Sequence, residues 1–378
     1  MAADRRLVIL GATGTVGRRA LELLAELPDA PRVVALAAHR DTAGLAEAAA
    51  ALHDGRVPTF LASVPSERDA LLALLRDGDG YDVCLNAVVG AAGLPYSLAV
   101  AEAGRDLALA NKESLVCAGP LLTAAMERNG GRVLPVDSEH AALQRLVGGR
   151  SRDELRRLVL TASGGALRDR PLSALAEVTP DEALAHPNWT MGPRITVDSA
   201  TMMNKAFEVL EAVHLFGVSP DRVEVLLHRE SVVHGLVEFR DGTLLAHLGP
   251  PDMGFPIQQA LTWPEVPESP LVGFDPRLMT ALHFEEVDPA RWPALALGWE
   301  AARRGGYAGA VLNAADEVAV EAFLAGRIAF PAIAEVCATV LAETPPGRPS
   351  SLADLEAADR SARERAAALL SAPSSPTS

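Results

Sequence analysis

A glycine-rich turn close to the N-terminus constrains the fold of this chain more than any other feature. The turn, Gly11-Ala-Thr-Gly14-Thr-Val-Gly17, follows an apolar run at 7–10 and precedes the helical pattern RRALELLAEL. Glycines at such a turn let the backbone approach a pyrophosphate, and the N-terminus of the next helix supplies amide donors. The spacing is G-x-x-G-x-x-G and not the commoner G-x-G-x-x-G, so a tight turn that binds no nucleotide remains the alternative.

Strand-like apolar runs alternate with helical patterns after this turn. Runs at 33–38, 82–89 and 106–110 are separated by segments rich in Ala and Leu, and 132–136 predicts a final strand. Strands that alternate with helices indicate a parallel, doubly wound sheet of the Rossmann type. The pattern predicts a dinucleotide-binding domain over residues 1–137.

The rest of the chain is predicted to contain a central α+β part and a helical part. Residues 199–216 predict one long helix with Ser199 as its N-cap. Strand-like runs at 223–228, 231–239 and 243–248 predict a small antiparallel sheet with a DG hairpin turn. The predicted parts are a central α+β domain at 138–263, a proline-rich linker at 264–293, a C-terminal helical domain at 294–370 and a disordered tail at 371–378.

Charge and composition argue against several classes of partner. The chain has 34 Lys and Arg against 49 Asp and Glu, a net charge of −15, with no dense basic stripe, so nucleic acid and membrane surfaces are poor candidates. Cys84, Cys117 and Cys337 lie far apart and fit no zinc spacing, which favours a reducing compartment. No signal-peptide pattern or membrane-length apolar run is present, and we expect a cytoplasmic protein.

The end of the second predicted strand bears on cofactor choice. The strand is followed by His39, Arg40 and Asp41. An acidic residue here often holds the ribose hydroxyls of NAD, whereas a cation accommodates the 2′-phosphate of NADP. Arg40 favours NADP and Asp41 weakens that preference. A solvated loop cation is the alternative interpretation of Arg40.

Three acidic residues are candidate metal ligands. Asp137 and Glu139 follow an apolar strand, and in an extended chain residues two apart project to the same side. Two carboxylates at a strand end suit Mg²⁺ or Mn²⁺. Glu208, on the predicted helix, could add a third. An isolated D-x-E pair, however, is most often a solvated turn.

Hydroxyl, amide and ammonium groups form a candidate phosphate site. Asn204 and Lys205 lie near the start of the predicted helix, where positive charge favours an anion, and Ser199 precedes them. Ser163 follows a strand and is followed by Gly164 and Gly165, which also suits a phosphate. The alternatives are an ordinary amphipathic helix with a Lys–Glu pair and a plain turn.

Two further segments carry polar residues at places typical of a ligand crevice. Asn111, Lys112 and Glu113 follow the strand-like run at 106–110, and strand ends border the crevice of a doubly wound sheet. His186 and Trp189 lie in an irregular segment of the kind that often forms an active-site lid. A buried packing role is the alternative for Trp189.

Taken together, these stretches resemble the 1-deoxy-D-xylulose 5-phosphate reductoisomerase family. The resemblance runs in the family's order from residue 8 to about residue 325, and its longest part, HPNWTMGPRITVDSATMMNK, is highly specific. The other matching stretches are GATGTVG, NAVVGAAGL, LANKESLV, LPVDSEHAA, TASGGA, LGPPDMGFPIQQALTWPE and LNAADEVAVEAFL.

The resemblance implies roles for particular residues of this chain. It implies that the divalent metal is Mg²⁺ or Mn²⁺, with Co²⁺ as a further candidate, held by Asp137, Glu139 and Glu208. The implied substrate contacts are Lys112, Ser138, Glu139, Ser163, His186, Trp189, Ser199, Asn204, Lys205 and Glu208, with Ser163, Ser199, Asn204 and Lys205 around the phosphate. The implied catalytic residues are Lys112, Asp137, Glu139, Glu208 and His186. The implied NADPH contacts are Gly11, Thr13, Gly14, Thr15, Val16, His39, Arg40, Asp41, Asn111, Glu113 and Gly192, and His140 and His234 match histidines near the family's active site.

The implied activity is conversion of 1-deoxy-D-xylulose 5-phosphate to 2-C-methyl-D-erythritol 4-phosphate in the non-mevalonate isoprenoid pathway. The resemblance implies a homodimer in which 138–263 is the catalytic and dimerisation domain, with a lid near 184–194. His39 and Asp41 stand where the family often has Gly and Asn, which leaves the strictness of NADP preference open. LHRES at 227–231 replaces an HPQS-like stretch, so Arg229 and Glu230 receive no role. The alternatives are a metal-dependent sugar-phosphate aldolase, a catalytically silent nucleotide-binding regulator and an NAD dehydrogenase without metal.

Overall fold

The computed structural model describes residues 4–52, 57–187, 189, 191–279, 281–344 and 346–371. Its strands are β1 (Arg6–Leu10), β2 (Arg32–Ala38), β3 (Thr59–Leu61), β4 (Val83–Asn86), β5 (Asp106–Leu109), β6 (Val133–Pro135), β7 (Leu155–Ala162), β8 (Val223–Leu227), β9 (Val233–Phe239), β10 (Leu244–Leu248) and β11 (Glu285–Glu286). Its α-helices are α1 (Thr15–Glu26), α2 (Thr42–Ala50), α3 (Pro65–Asp77), α4 (Leu94–Glu102), α5 (Glu113–Asn129), α6 (Ser138–Val147), α7 (Pro180–Leu184), α8 (Pro193–Thr201), α9 (Met203–Phe216), α10 (Gly254–Thr262), α11 (Pro293–Arg304), α12 (Ala308–Leu324), α13 (Ala332–Ala342) and α14 (Leu352–Ser371).

The chain divides into two compact units. The first unit comprises 1–114, 119–156 and 232–280, and the second comprises 115–118, 157–231 and 281–378. The predicted central range, 138–263, is therefore shared between them, and the predicted functional boundaries stay a prediction. Of the tail at 371–378, all but Ser371 lies outside the described residues. Within the described part of the chain, no helix has the length and apolarity needed to span a membrane.

The six-stranded sheet of the first unit has the predicted parallel, doubly wound form. Its order is β3-β2-β1-β4-β5-β6, and all neighbouring pairs are parallel. Strand order reverses beside β1, and in such sheets ligands bind at the carboxyl ends of the strands next to this reversal. Leu7, Ile9 and Leu85 on β1 and β4 are fully buried and contact Ile257 and Leu261 of α10 in one apolar core. Burying each such side chain stabilises the fold by about 1.5–3 kcal/mol.

The predicted antiparallel sheet is correct for two of its three strands. β9 and β10 form an antiparallel hairpin, and its turn contains Gly242 with φ of 88°. β8 instead pairs in parallel with β7 and antiparallel with β11. The prediction for β8 was wrong because three helices separate β7 from β8, and a crossover of this length joins parallel strands. β11 lies within 264–293, so the predicted linker contains a paired strand.

The predicted single helix at 199–216 is two helices. α8 ends at Thr201, Met202 is left-handed with φ of 63°, and α9 begins at Met203. Ser199 therefore lies in the last turn of α8, and the prediction that it is an N-cap was wrong. The break is held locally, because the Thr201 hydroxyl accepts a hydrogen bond from the Met203 amide at 3.2 Å.

Helices α11 to α14 of the second unit confirm the predicted helical C-terminal region. α9 packs closely against α11 at Gly298. A Cβ at Gly298 would lie 2.5 Å from the carbonyl oxygen of Ala206, so only glycine allows this approach. The packing fixes the helix that carries Asn204, Lys205 and Glu208.

Candidate active site

In the first unit, the glycine-rich turn has the geometry that a pyrophosphate requires. Gly11 has a φ of 77°. A Cβ at Gly17 would lie 2.2 Å from the Gly11 carbonyl oxygen, so the turn closes on the first turn of α1 only with glycine there. Gly14 is the N-cap of α1, and no side chain caps the helix. The first amides of α1 are thus left for an anion, with Thr13, Thr15 and Val16 around them.

The turn after β2 lies beside this motif. The Gly11 amide donates to the Ala37 carbonyl at 2.9 Å, which fixes the glycine-rich turn against the end of β2. His39 and Arg40 are exposed. The Asp41 carboxylate caps α2 by accepting a hydrogen bond from the Gly44 amide at 2.9 Å.

Asn111 and Glu113 join the ends of β4 and β5. The Asn111 side-chain amide donates to the carbonyls of Val88 (2.7 Å) and Gly90 (2.8 Å) and to Glu113 (2.9 Å). The Gly90 amide in turn donates to Glu113 at 3.2 Å. These bonds fix a backbone loop at the carboxyl edge of the sheet, where a nucleotide is expected. Val89 on this loop is 75% exposed and offers an apolar surface.

The carboxylate of Asp137 is held by two basic side chains. Lys112 donates to Asp137 Oδ2 at 2.5 Å, and His140 Nδ1 lies 2.9 Å from Oδ1. His140 is fully buried, and Lys112 and Asp137 are nearly so. Glu139 places a carboxylate oxygen within 4.8 Å of one on Asp137, and the Ser138 hydroxyl donates to Glu139. The first unit therefore brings two predicted metal ligands and Lys112 together.

The backbone that brings Asp137 and Glu139 together differs from the prediction. Asp137 is the N-cap of α6, accepting from the Glu139 amide at 3.2 Å, and Glu139 lies in the first turn. The extended-chain prediction was wrong here because the helix begins one residue after Asp137. The positive end of α6 favours both negative charges.

In the second unit, Ser163 lies next to His186. Ser163 Oγ is 3.2 Å from His186 Nε2, and His186 Nδ1 is 3.0 Å from the Trp189 amide, which donates to it. A neutral His186 therefore carries its proton on Nε2 and donates to Ser163. Burial, followed by the positive charge of Arg168, lowers the pKa of His186, which keeps the ring neutral at pH 7. Asn188 and Thr190 of the predicted lid lie outside the described residues.

The end of α8 lies against the turn that follows Ser163. A Cβ at Gly165 would be 2.6 Å from the Ser199 carbonyl oxygen, so these segments are in close contact. Gly192 is the N-cap of α8, and its carbonyl accepts from the Thr196 hydroxyl at 2.8 Å. Within the second unit, the backbone at Ser199 thus lies against the turn that follows Ser163, whose hydroxyl contacts His186.

The first turns of α9 carry a buried cluster of polar side chains. Asn204 donates to Glu208 Oε1 at 2.6 Å, and Lys205 donates to Glu208 Oε2. Glu208 is 1% exposed and Lys205 is 4% exposed. The Lys–Glu pair of the alternative interpretation is present, but it is buried and not on a solvated face. A charge pair withdrawn from water in this way is costly unless it has further partners.

Comparison with known proteins identifies the family. Residues 7–58 and 59–119 match 1-deoxy-D-xylulose 5-phosphate reductoisomerase, and 133–216 and 248–365 match C-terminal domains of the same enzyme. The 1-deoxy-D-xylulose 5-phosphate reductoisomerase of Ruegeria pomeroyi is 46% identical over 381 residues, with 96% of each chain covered. That of Xanthomonas euvesicatoria is 46% identical over 379 residues, with 95% of each covered. The chain belongs to the 1-deoxy-D-xylulose 5-phosphate reductoisomerase family.

Solved structures agree with this assignment. The reductoisomerase of Zymomonas mobilis in complex with NADPH is 40% identical, has a TM-score of 0.89, and covers 98% of this chain and 100% of its own. A reductoisomerase complex with NADPH, fosmidomycin and magnesium is 34% identical with a TM-score of 0.88, covering 97% and 98%. The resemblance to the reductoisomerase family found in the motifs is thereby confirmed.

The departure from the family at LHRES has a structural role. Arg229 pairs with Asp169 at 2.7 Å and with Glu285 of β11 at 3.0 Å. Glu230 hydrogen-bonds His283 beside the same strand. These pairs connect the end of β8 to the segment that contains β11.

Two arginines beside the site were not predicted from the sequence. Arg194, in the first turn of α8, donates to Asn313 at 2.8 Å and to Glu317 at 2.8 Å, and so fixes α8 to α12. Arg18 of α1 reaches the turn after β2. Arg194 lies within the matching stretch HPNWTMGPRITVDSATMMNK, but nothing in that stretch gave it a role. Arg18 lies one residue after Gly17, and only that position could have drawn attention to it.

Proposed function

We propose that this chain catalyses the NADPH- and divalent-metal-dependent isomerisation and reduction of 1-deoxy-D-xylulose 5-phosphate to 2-C-methyl-D-erythritol 4-phosphate, in the non-mevalonate isoprenoid pathway. The observation that carries the proposal is family membership over nearly the whole chain, with all three candidate metal carboxylates present. We further propose a cytoplasmic homodimer, in keeping with the family resemblance.

The residues present fit NADPH and a divalent metal ion, the two groups that the family resemblance implies. The uncapped start of α1 and the close backbone at Gly11 and Gly17 suit the pyrophosphate of NADPH. Asp137, Glu139 and Glu208 offer the hard oxygen ligands that Mg²⁺, Mn²⁺ or Co²⁺ accepts. When bound, NADPH supplies hydride and the metal ion polarises substrate oxygens as a Lewis acid.

The substrate phosphate is assigned to the second unit. Ser163 and Ser199 supply hydroxyl groups, Asn204 an amide and Lys205 a positive charge. The contact of the Ser163 turn with α8, and the position of Lys205 at the start of α9, support this assignment. Charge-assisted hydrogen bonds of this kind are roughly twice as strong as neutral ones.

The reacting part of the substrate is assigned to Lys112, His186 and Trp189. In the proposed rearrangement one carbon–carbon bond breaks and another forms, and the branched aldehyde is then reduced. Lys112, whose ammonium is fixed by Asp137, offsets negative charge that develops on a substrate oxygen. Neutral His186 offers the Nε2 proton to an oxygen, and Trp189 in the proposed lid excludes water.

One assay tests the proposal. Purified protein, 1-deoxy-D-xylulose 5-phosphate and NADPH are mixed with Mg²⁺, and the absorbance of NADPH is followed with and without excess EDTA. Substrate-dependent oxidation that EDTA abolishes is expected. Substrate cleavage without NADPH oxidation would favour the aldolase, and nucleotide binding without turnover would favour the silent regulator.

A further inference from the structure

Arg18 extends from α1 to the turn that follows β2. Its Nε donates to the Thr13 carbonyl at 2.8 Å, and a terminal nitrogen lies 3.8 Å from Asp41 Oδ2. The side chain is thus directed along the glycine-rich turn toward residues 39–41. It is 57% exposed, so its guanidinium is accessible to a ligand in this region.

Asp41 is engaged by its own helix. Its Oδ1 accepts a hydrogen bond from the Gly44 amide, and a Cβ at Gly44 would lie 2.3 Å from Oδ2. The carboxylate is therefore folded over the start of α2. An acidic residue at this place in NAD enzymes accepts hydrogen bonds from the ribose hydroxyls. Here the carboxylate caps α2 and faces Arg18.

We propose that Arg18 is a specificity-determining residue for the 2′-phosphate of NADPH, acting together with Arg40, and that Asp41 caps α2 instead of binding ribose. This inference rests on the proposed function, because it takes NADPH as the cofactor. A phosphate monoester carries a charge of about −1.5 to −2 at pH 7, and two guanidinium groups match it better than one.

The charges at this turn support a pair of cations. In the described part of the chain, no hydrogen bond or ion pair engages the side chain of Arg40. The contact between Arg18 and Asp41 is long and exposed, and such pairs contribute little, so Arg18 can leave Asp41 for a phosphate at small cost. Arg18 comes from α1 and Arg40 from the turn after β2, so the two can approach a phosphate from two sides.

The test is a binding titration with NADPH and NADH, without metal or substrate, followed by nucleotide fluorescence. Arg18→Ala should raise the Kd for NADPH about tenfold and leave the Kd for NADH within about twofold. Arg19→Ala is the matched control, because Arg19 is the next residue of α1 but pairs with Asp252 at 2.8 Å and Glu22 at 3.3 Å. It should leave both affinities near those of the wild type.

Asp41→Asn tests the second part of the inference. Asn caps a helix as well as Asp does, so α2 is kept while the negative charge is removed. NADPH affinity should rise about two- to threefold with NADH affinity unchanged. Loss of NADH affinity would show that Asp41 binds ribose, and would overturn the inference for Asp41.

The outcomes separate the inference from the proposed function. If the wild type prefers NADPH but Arg18→Ala leaves the ratio of the two Kd values unchanged, only the role of Arg18 is overturned. If the wild type binds neither nucleotide, the proposed function fails together with the inference. Thermal unfolding of each variant, expected to match the wild type, distinguishes lost contacts from lost folding.

Discussion

The glycine-rich turn of the first unit and the α8–α9 segment of the second are both assigned to phosphate groups, but they use different donors. At 11–17 the donors are backbone amides at an uncapped helix start, and the constraint is the absence of Cβ atoms. At 199–208 the donors are side chains, and Lys205 is buried against Glu208. The first site should therefore be sensitive to volume and the second to charge.

The largest effect is expected for Glu208→Gln. The change keeps the shape of the side chain but removes a proposed metal ligand and the charge that balances Lys205. Turnover should fall at least about 1,000-fold across ordinary metal concentrations, since the Lewis acid would be lost or misplaced. NADPH affinity, which depends on the proposed site at 11–17, should stay within about twofold. Steady-state kinetics with a parallel NADPH titration measure both, and near-normal turnover would remove Glu208 from the metal site.

The next effect concerns Lys205→Ala. Removal of a charge-assisted phosphate contact of about 1.5–3 kcal/mol should raise KM for the sugar phosphate by about 10- to 100-fold. Asn204→Ala is the matched control on the same helix turn, and because it removes a neutral donor its KM should rise less. An unchanged KM for Lys205→Ala would contradict the phosphate assignment.

A third prediction tests the role of volume at the glycine-rich turn. In Gly17→Ala the added Cβ would lie 2.2 Å from the Gly11 carbonyl oxygen. Overpacking of this kind lowers the free energy of unfolding by about 1–3 kcal/mol. Gly14→Ala is the control, because its Cβ would lie 3.3 Å from the same oxygen. Urea unfolding of the nucleotide-free proteins should show the larger loss for Gly17→Ala. Equal stabilities would mean that the turn can relax.

The nucleotide-binding sheet could be predicted from the sequence because its signals are local. Each of β1, β2, β4 and β5 is a short apolar run next to a helical pattern, and the right-handed crossovers then fix a parallel sheet. The glycines of 11–17 lie next to one another in the chain, so their spacing reports their function directly. β3 was missed because a strand of three residues is too short to show a periodic pattern.

The segments that were predicted wrongly depend on contacts that the sequence pattern does not contain. The break at Met202 divides a continuous helical pattern, and it is held by Thr201 and by packing of α9 on α11. Asp137 was placed on an extended strand, whereas its side chain starts α6. The residue types of the site were predictable in both cases, but the backbone that positions them was not.

The smallest expected effect is on the pH dependence of stability, and it concerns one partly buried histidine in each unit. Burial lowers the pKa of His214 in α9 and of His247 in β10 from 6.5 to about 4, and nearby His234 contributes at His247. Between pH 6.5 and 4 the unfolded chain binds these protons and the folded chain does not. The free energy of unfolding therefore falls as the pH is lowered through this window.

His214→Gln and His247→Gln should each reduce that loss by on the order of 1–2 kcal/mol at pH 5, relative to pH 7. Asp316, whose pKa burial raises to about 6, acts with the opposite sign, because the folded state takes up its proton first as the pH falls. Asp316 is present in the wild type and in both variants, so its contribution cancels when their free energies of unfolding are subtracted. Urea unfolding at pH 5 and pH 7 measures this difference. A variant whose pH dependence equals that of the wild type would show that its histidine is protonated in the folded unit, contrary to its burial.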